Sequence, residues 1–178
     1  MLFLPTNISG AFEVRSEPIA DNRGDFARSF CVDEFKDNNI QFRVVQANIS
    51  RNQSRGTLRG MHYQAEPVPD PKFVRCIRGR VFDVVIDLRL DSPSFRRWTS
   101  IELDAEKQNA IFVPPGCAHG FLTREDNCDV EYLMGAPYVQ KLSRGVRWDD
   151  PAFAISWPSR PNLISDRDAL YPDFDFGA

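Results

Sequence analysis

No stretch of this chain carries a long helical apolar period. Short segments rich in Val, Ile and Phe alternate instead with turn residues through most of its length. Such segments read as strands at 12–18, 26–30, 42–49, 59–64, 72–78, 81–89, 98–103, 110–113, 118–122 and 130–134. Strands this short and this closely spaced point to an all-β sandwich or small barrel, and a jelly-roll barrel is the expected form. Short helices are expected at 32–36, near 149–151 and after Ser165, and the loop-rich chain beyond Pro137 is expected to pack outside the barrel or over its mouth. The 178 residues fit a single domain spanning 1–178.

Composition narrows the function classes. The net charge is −3 with no basic stripe, which argues against nucleic acid as a partner. No apolar run reaches the length of a membrane span, and the first residues lack the basic and apolar regions of a secretion signal. The four cysteines, Cys31, Cys76, Cys117 and Cys128, have neither metal-ligand nor redox spacing, so reduced thiols and a cytoplasmic location are expected.

Chemistry is concentrated around Arg59-Gly60-Met61-His62-Tyr63-Gln64, which holds one of only two histidines. Histidine can take and give a proton near neutral pH. A metal site needs three or four converging ligands, and two distant histidines without a His-x-His pair do not suggest one. No Gly-x-Ser-x-Gly elbow is present, and Cys117 reads as a small buried residue, so nucleophilic catalysis is not expected. Proton transfer remains, with His62, His119, Tyr132, Lys72, Arg59, Asp83 and Asp168 as candidates. Each has a plain alternative: Tyr132 a core ring, Lys72 an edge residue, Asp168 part of a helix cap after Ser165. In segment 81–89, Phe82, Val84, Ile86 and Leu88 share one face, while Asp83 and Asp87 share the other with Val81 and Val85. That mixed face suits either solvent or a barrel interior holding a polar ligand.

Several ordered blocks resemble one known family. They are Ser54-x-Gly56-x-Leu58-Arg59-Gly60-Met61-His62-Tyr63-Gln64, then Val74-Arg75-x-x-x-Gly79-x-Val81-Phe82-Asp83-Val84-x-x-Asp87-Leu88-Arg89, then Pro114-x-Gly116-x-Ala118-His119-Gly120-Phe121, then Arg144-Gly145-x-Arg147-Trp148-Asp149-Asp150-Pro151. With Arg23-Gly24-x-Phe26 and Ile164-Ser165-x-x-Asp168 they are similar to the signatures of the dTDP-4-dehydrorhamnose 3,5-epimerases. The resemblance implies an all-β, cupin-type jelly-roll barrel with short peripheral helices and a loop-rich C-terminal segment. It implies no cofactor and no metal, a homodimer with exchanged N-terminal strands, and no nucleic-acid or membrane partner. The implied substrate is a nucleoside-diphospho-4-keto-6-deoxy sugar, epimerised at C3, C5 or both in deoxysugar and polysaccharide assembly. By position, His62 matches the catalytic base, Asp168 its orienting carboxylate, Tyr132 the general acid, and Lys72 and His119 the surroundings of the sugar carbonyl. Arg59, Gln46, Asn48 and Arg167 match substrate contacts, and Arg23 matches a residue reaching the nucleotide from the partner subunit. Two positions depart from the pattern: Arg28 and Ser143 stand where glutamates are usual. A relative using a CDP- or GDP-linked sugar, a mono-epimerase, or a 3,4-ketoisomerase on a similar barrel are the alternatives.

One geometric consequence follows. Arg59 and His62 are three residues apart, so a regular strand would send them to opposite faces. If both serve one site, the alternation must break between them, and Gly60 is the natural place for a bulge.

Overall fold

Strands of five to eight residues with apolar residues on at least one face must bury that face against another layer, and here two antiparallel sheets do so for each other. The computed structural model of the chain describes residues 1–175. In chain order it contains β1 (Leu2–Pro5), β2 (Phe12–Arg15), β3 (Ile19–Asp21), β4 (Gly24–Phe26), α1 (Val32–Asp37), β5 (Gln46–Asn52), β6 (Leu58–Gln64) and β7 (Lys72–Arg78). β8 (Arg80–Asp87), β9 (Trp98–Asp104), β10 (Asn109–Val113), β11 (Cys117–Thr123), β12 (Cys128–Met134), β13 (Ser143–Gly145) and α2 (Asp166–Ala169) follow. One sheet runs β1-β2-β10-β7-β12-β5 and the other β13-β6-β11-β8-β9, while β3 and β4 form a separate ribbon. This is the expected all-β jelly-roll arrangement with short peripheral helices.

The inner core lies between the sheets, where Val74, Ile111 and Val130 of the first meet Val81, Val85 and Phe121 of the second. Each outer face is also covered. Phe35 of α1, with Ile40 and Phe42, caps Phe73 and Phe112 of the six-stranded sheet. Val146 and Phe153, joined by Trp157, cap Met61, Val84 and Ile86 of the five-stranded sheet. Because both faces of β8 are buried, its mixed face points inward, and the loop-rich C-terminal third packs outside, as expected.

Several local expectations are corrected. β2 ends at Arg15, before the Pro18 that lacks a ladder donor. Of the segment 26–30 only Phe26 lies in a strand, as the last residue of β4, which pairs with β3. β5 begins at Gln46 and runs to Asn52, because β12 pairs it along that whole length, Cys128 opposite Asn52. Gly79 alone joins β7 to β8, and there the chain crosses from one sheet to the other. No helix forms near 149–151. Asp150 instead ties a turn, its two carboxylate oxygens accepting from the Ala152 and Phe174 N–H groups. β13, three polar or small residues with no apolar pattern, adds a strand to β6.

Candidate active site

A cavity of about 670 Å³ opens between the sheets. Its walls come from β6 and β11 on one side and β5, β7 and β12 on the other, with the segment from Leu163 to Asp168 at its rim. His62 sits on β6, directly opposite His119 of β11 in the ladder, whereas Arg59 faces Phe121. Three steps on β6 therefore match two on β11, and this is the expected bulge. Gly60 carries it: its φ is +132°, and its peptide bond to Met61 is cis. A Cβ at Gly60 would lie 2.5 Å from Gly120 Cα, so two glycines let the strands approach here. The break turns both Arg59 and His62 to the cavity while Met61 stays fully buried in the outer core.

His62 Nε2 lies 2.7 Å from Asp168 Oδ1, and the Gly60 N–H donates to the other carboxylate oxygen at 3.1 Å. Asp168 does take part in a helix cap, since its own N–H donates to Ser165 Oγ. Its side chain, however, turns to the histidine. Burial alone would raise the Asp168 carboxyl; the His62 ring and the Gly60 amide outweigh it and hold the group below its ordinary value. The side chain of His62 is 39% exposed, and its Nδ1 has no partner among the described residues.

Lys72, the first residue of β7, is 5% exposed. Its Nζ donates to the His62 carbonyl oxygen at 2.9 Å and lies 3.3 Å from Asp70. Burial pushes its ammonium down, and Asp70 and Asp83 offset part of that push. Tyr132, on β12 of the facing sheet, has no hydrogen-bond partner for its hydroxyl among the described residues. Burial pushes that hydroxyl up, with the nearby Asp83 adding to it. His119 Nε2 lies 2.8 Å from Asp83 Oδ2, both side chains being closed off from solvent, and its ring stands edge-on to Tyr132.

Two guanidinium groups line the cavity without a carboxylate partner among the described residues. Arg59 donates to Asn52 Oδ1 at 2.7 Å, and Arg167 donates to Ser143 Oγ at 2.8 Å. Arginines left with neutral partners at a cavity wall suit a multiply charged anion. Asn48 and Tyr138 also line it. Of the ten residues that the resemblance matches to site roles, eight line this cavity and two do not. Gln46 lies beside it, hydrogen-bonded to Asn48. Arg23 is on the exposed β3–β4 ribbon, ion-paired with Asp21. Of the two departures, Arg28 is ion-paired with Glu34 of its own chain at 2.6 Å, and Ser143 lines the cavity.

Asp70 and Tyr171 were not singled out. Asp70 had no sequence signal beyond its place in a proline-rich loop. Tyr171 packs where a Cβ on Gly145 would lie 2.3 Å from its ring, and stands edge-on to His62. Asp83 had a signal, its place on the mixed face of β8, but pairing it with His119 required the ladder register.

The family model for dTDP-4-dehydrorhamnose 3,5-epimerase matches residues 5–175. The chain is 38% identical over 173 residues to the dTDP-4-dehydrorhamnose 3,5-epimerase of Sinorhizobium fredii, covering 97% of this chain and 89% of that protein. It is also 38% identical to the dTDP-4-dehydrorhamnose 3-epimerase of Streptomyces niveus, covering 94% of this chain and 81% of that one. The crystal structure of the Bacillus anthracis dTDP-4-dehydrorhamnose 3,5-epimerase with TDP and pyrophosphate bound superposes with a TM-score of 0.93 at 33% identity, covering 97% and 99% of the two chains.

Proposed function

Because the chain belongs to the dTDP-4-dehydrorhamnose 3,5-epimerase family, carbohydrate isomerases, we propose that it inverts the carbons flanking the C4 ketone of a dTDP-linked 4-keto-6-deoxy sugar. The observation that carries this reading is the placement of His62 and Tyr132 on facing sheets across one cavity. Epimerisation needs a proton removed from one face of the sugar ring and another delivered to the opposite face, and two walls carrying a base and a hydroxyl suit that requirement.

His62 Nδ1 takes the proton from carbon, since Nε2 is held by Asp168, and the carbon–hydrogen pair of electrons moves into the carbonyl to give an enolate. Asp168 fixes the ring orientation and balances the imidazolium that forms. A proton beside a ketone is far too weakly acidic for histidine unless the enolate oxygen is stabilised. Lys72 and His119 supply that, each preorganised donor being worth on the order of 3 kcal/mol in comparable sites. The Tyr132 hydroxyl then protonates the carbon from the other side, and solvent resets the two groups. Arg59 and Arg167, with Asn48 and Gln46, hold the nucleotide diphosphate portion.

The same reading includes a homodimer with exchanged N-terminal strands, in which the partner copy's ribbon brings its arginine at position 23 to the nucleotide. Ile19 and Phe26 on that ribbon are 76% and 79% exposed, more than an isolated subunit needs to leave uncovered. It also places the enzyme in the cytoplasm, in deoxysugar and polysaccharide assembly, without a cofactor. Proton NMR of a dTDP-4-keto-6-deoxyhexose incubated in D₂O tests the chemistry. Deuterium is expected at the carbons next to the ketone with the native protein and none with His62→Asn. A native protein that introduces no deuterium overturns the reading.

A further inference from the structure

The second histidine meets the cavity with only one of its nitrogens. His119 Nε2 is committed to Asp83 Oδ2 at 2.8 Å, and Nδ1 has no partner among the described residues. Asp83 is completely buried, and its second oxygen, Oδ1, has no hydrogen-bond partner among the described residues. Suppose the pair held a single proton, on Nε2 and donated to the carboxylate. Nδ1 would then present a bare lone pair to the cavity, and the pair would carry a net negative charge inside a closed site. Both are unfavourable: a lone pair repels a carbonyl or enolate oxygen, and an incompletely compensated buried charge is costly. A second proton removes both problems at once.

The surrounding charges do not supply another remedy. Lys72 of β7 is the nearby cation, but Asp70 and the His62 carbonyl already engage its ammonium. Tyr132 of β12 faces the pair as a neutral hydroxyl, His62 stands opposite on β6, and Arg59, also on β6, is turned to Asn52. Cys117, on the same strand as His119, lies toward Asp87. Burial pushes the Asp83 carboxyl up, against the pull of His119 and Lys72, which is the direction that favours keeping a proton on the pair.

We propose that Asp83 is a positioning residue that keeps the His119–Asp83 pair doubly protonated and neutral overall, so that His119 offers an Nδ1–H donor to the ligand. One proton lies between Nε2 and Oδ2 and the other on Nδ1. No bond to the substrate forms or breaks at this pair, and its proton count is unchanged through the cycle. Identification of the accepting atom as the sugar's C4 oxygen rests on the epimerase reading; the protonation of the pair does not.

Nitrogen-15 NMR of the full-length, histidine-labelled protein without ligand reads the pair directly. The chain has only two histidines, so the His62→Asn variant assigns both rings. A proton on His119 Nδ1 at pH 7 is expected, with the second proton shared between Nε2 and Asp83; an Nδ1 without a proton at pH 7 overturns the proposal. In Asp83→Asn, kcat should fall about 100-fold with KM little changed, and the alkaline limb of the pH–rate profile should move to lower pH. A structural role alone would lower stability and leave that limb in place, which would contradict the proposal. Should Asp83→Asn fail to fold, the NMR result on the native protein decides alone. A doubly protonated pair in a protein that exchanges no deuterium into the sugar would sink the epimerase reading and leave this one standing.

Discussion

Two histidine–aspartate pairs stand side by side, their histidines opposite each other on β6 and β11, made from the same residue types at nearly the same distance, and their surroundings make them different chemical devices. In the outer pair, His62 is 39% exposed. Asp168 comes from outside the sheets and has both oxygens satisfied, so its carboxylate is held below its ordinary value. In the inner pair, both side chains are shut away, one carboxylate oxygen has no partner among the described residues, and burial pushes the carboxyl up. An exposed ring backed by a stable carboxylate can collect and release protons. A buried ring backed by a carboxylate that resists ionisation holds its protons and offers a hydrogen bond. Burial and hydrogen-bond completeness assign the two roles, and residue identity does not.

That contrast can be broken at either end. The largest effect on turnover is expected from His62→Asn, about 10³-fold in kcat, because no other group replaces the base. Asp83→Asn follows at about 100-fold, with the shifted alkaline limb described above. Equal losses from the two variants, with identical pH profiles, would erase the distinction between the pairs. Gly60→Ala tests the geometry that brings them together. Its Cβ would meet the Gly120 backbone at 2.5 Å, at a φ that L-residues rarely adopt. A shift of His62 relative to His119 should cost about tenfold in kcat/KM, together with about 1–3 kcal/mol of stability read by thermal unfolding.

A third buried carboxylate serves as the control. Asp87, at the end of β8, accepts from Arg89, Ser92 and Ser94 away from the cavity. Burial would raise it, but those donors prevail and bring it down to about 2. A carboxylate held below its unfolded value adds stability above that value, and the contribution is lost as pH falls toward about 2. Asp87→Asn should therefore lower the melting temperature near neutrality, converge with the native protein in strong acid, and leave kcat unchanged.

The parts legible in the sequence were those governed by local rules. Strand alternation made the Arg59–His62 conflict visible and put the bulge at Gly60, and the Ser165 spacing marked the cap that carries Asp168. Pairings that depend on which strands become neighbours were not legible. Asp83 could be placed on a mixed face, but its histidine lies on β11, 36 residues later. Nor does anything in Ser143-Arg144-Gly145 announce a strand, because its ladder exists only once β6 is in place. Arg28 stood out as a charge reversal, and only the structure shows Glu34 beside it.

The central claim is that a base on one sheet and an acid on the facing sheet work across the same sugar ring. Tyr132→Phe in D₂O, with product stereochemistry and deuterium content read together by NMR, tests it most directly. The account predicts that deuterium still enters beside the ketone, because His62 can take a proton and return a deuteron to the same face, while inversion is lost. Inversion at the native rate in Tyr132→Phe would contradict it.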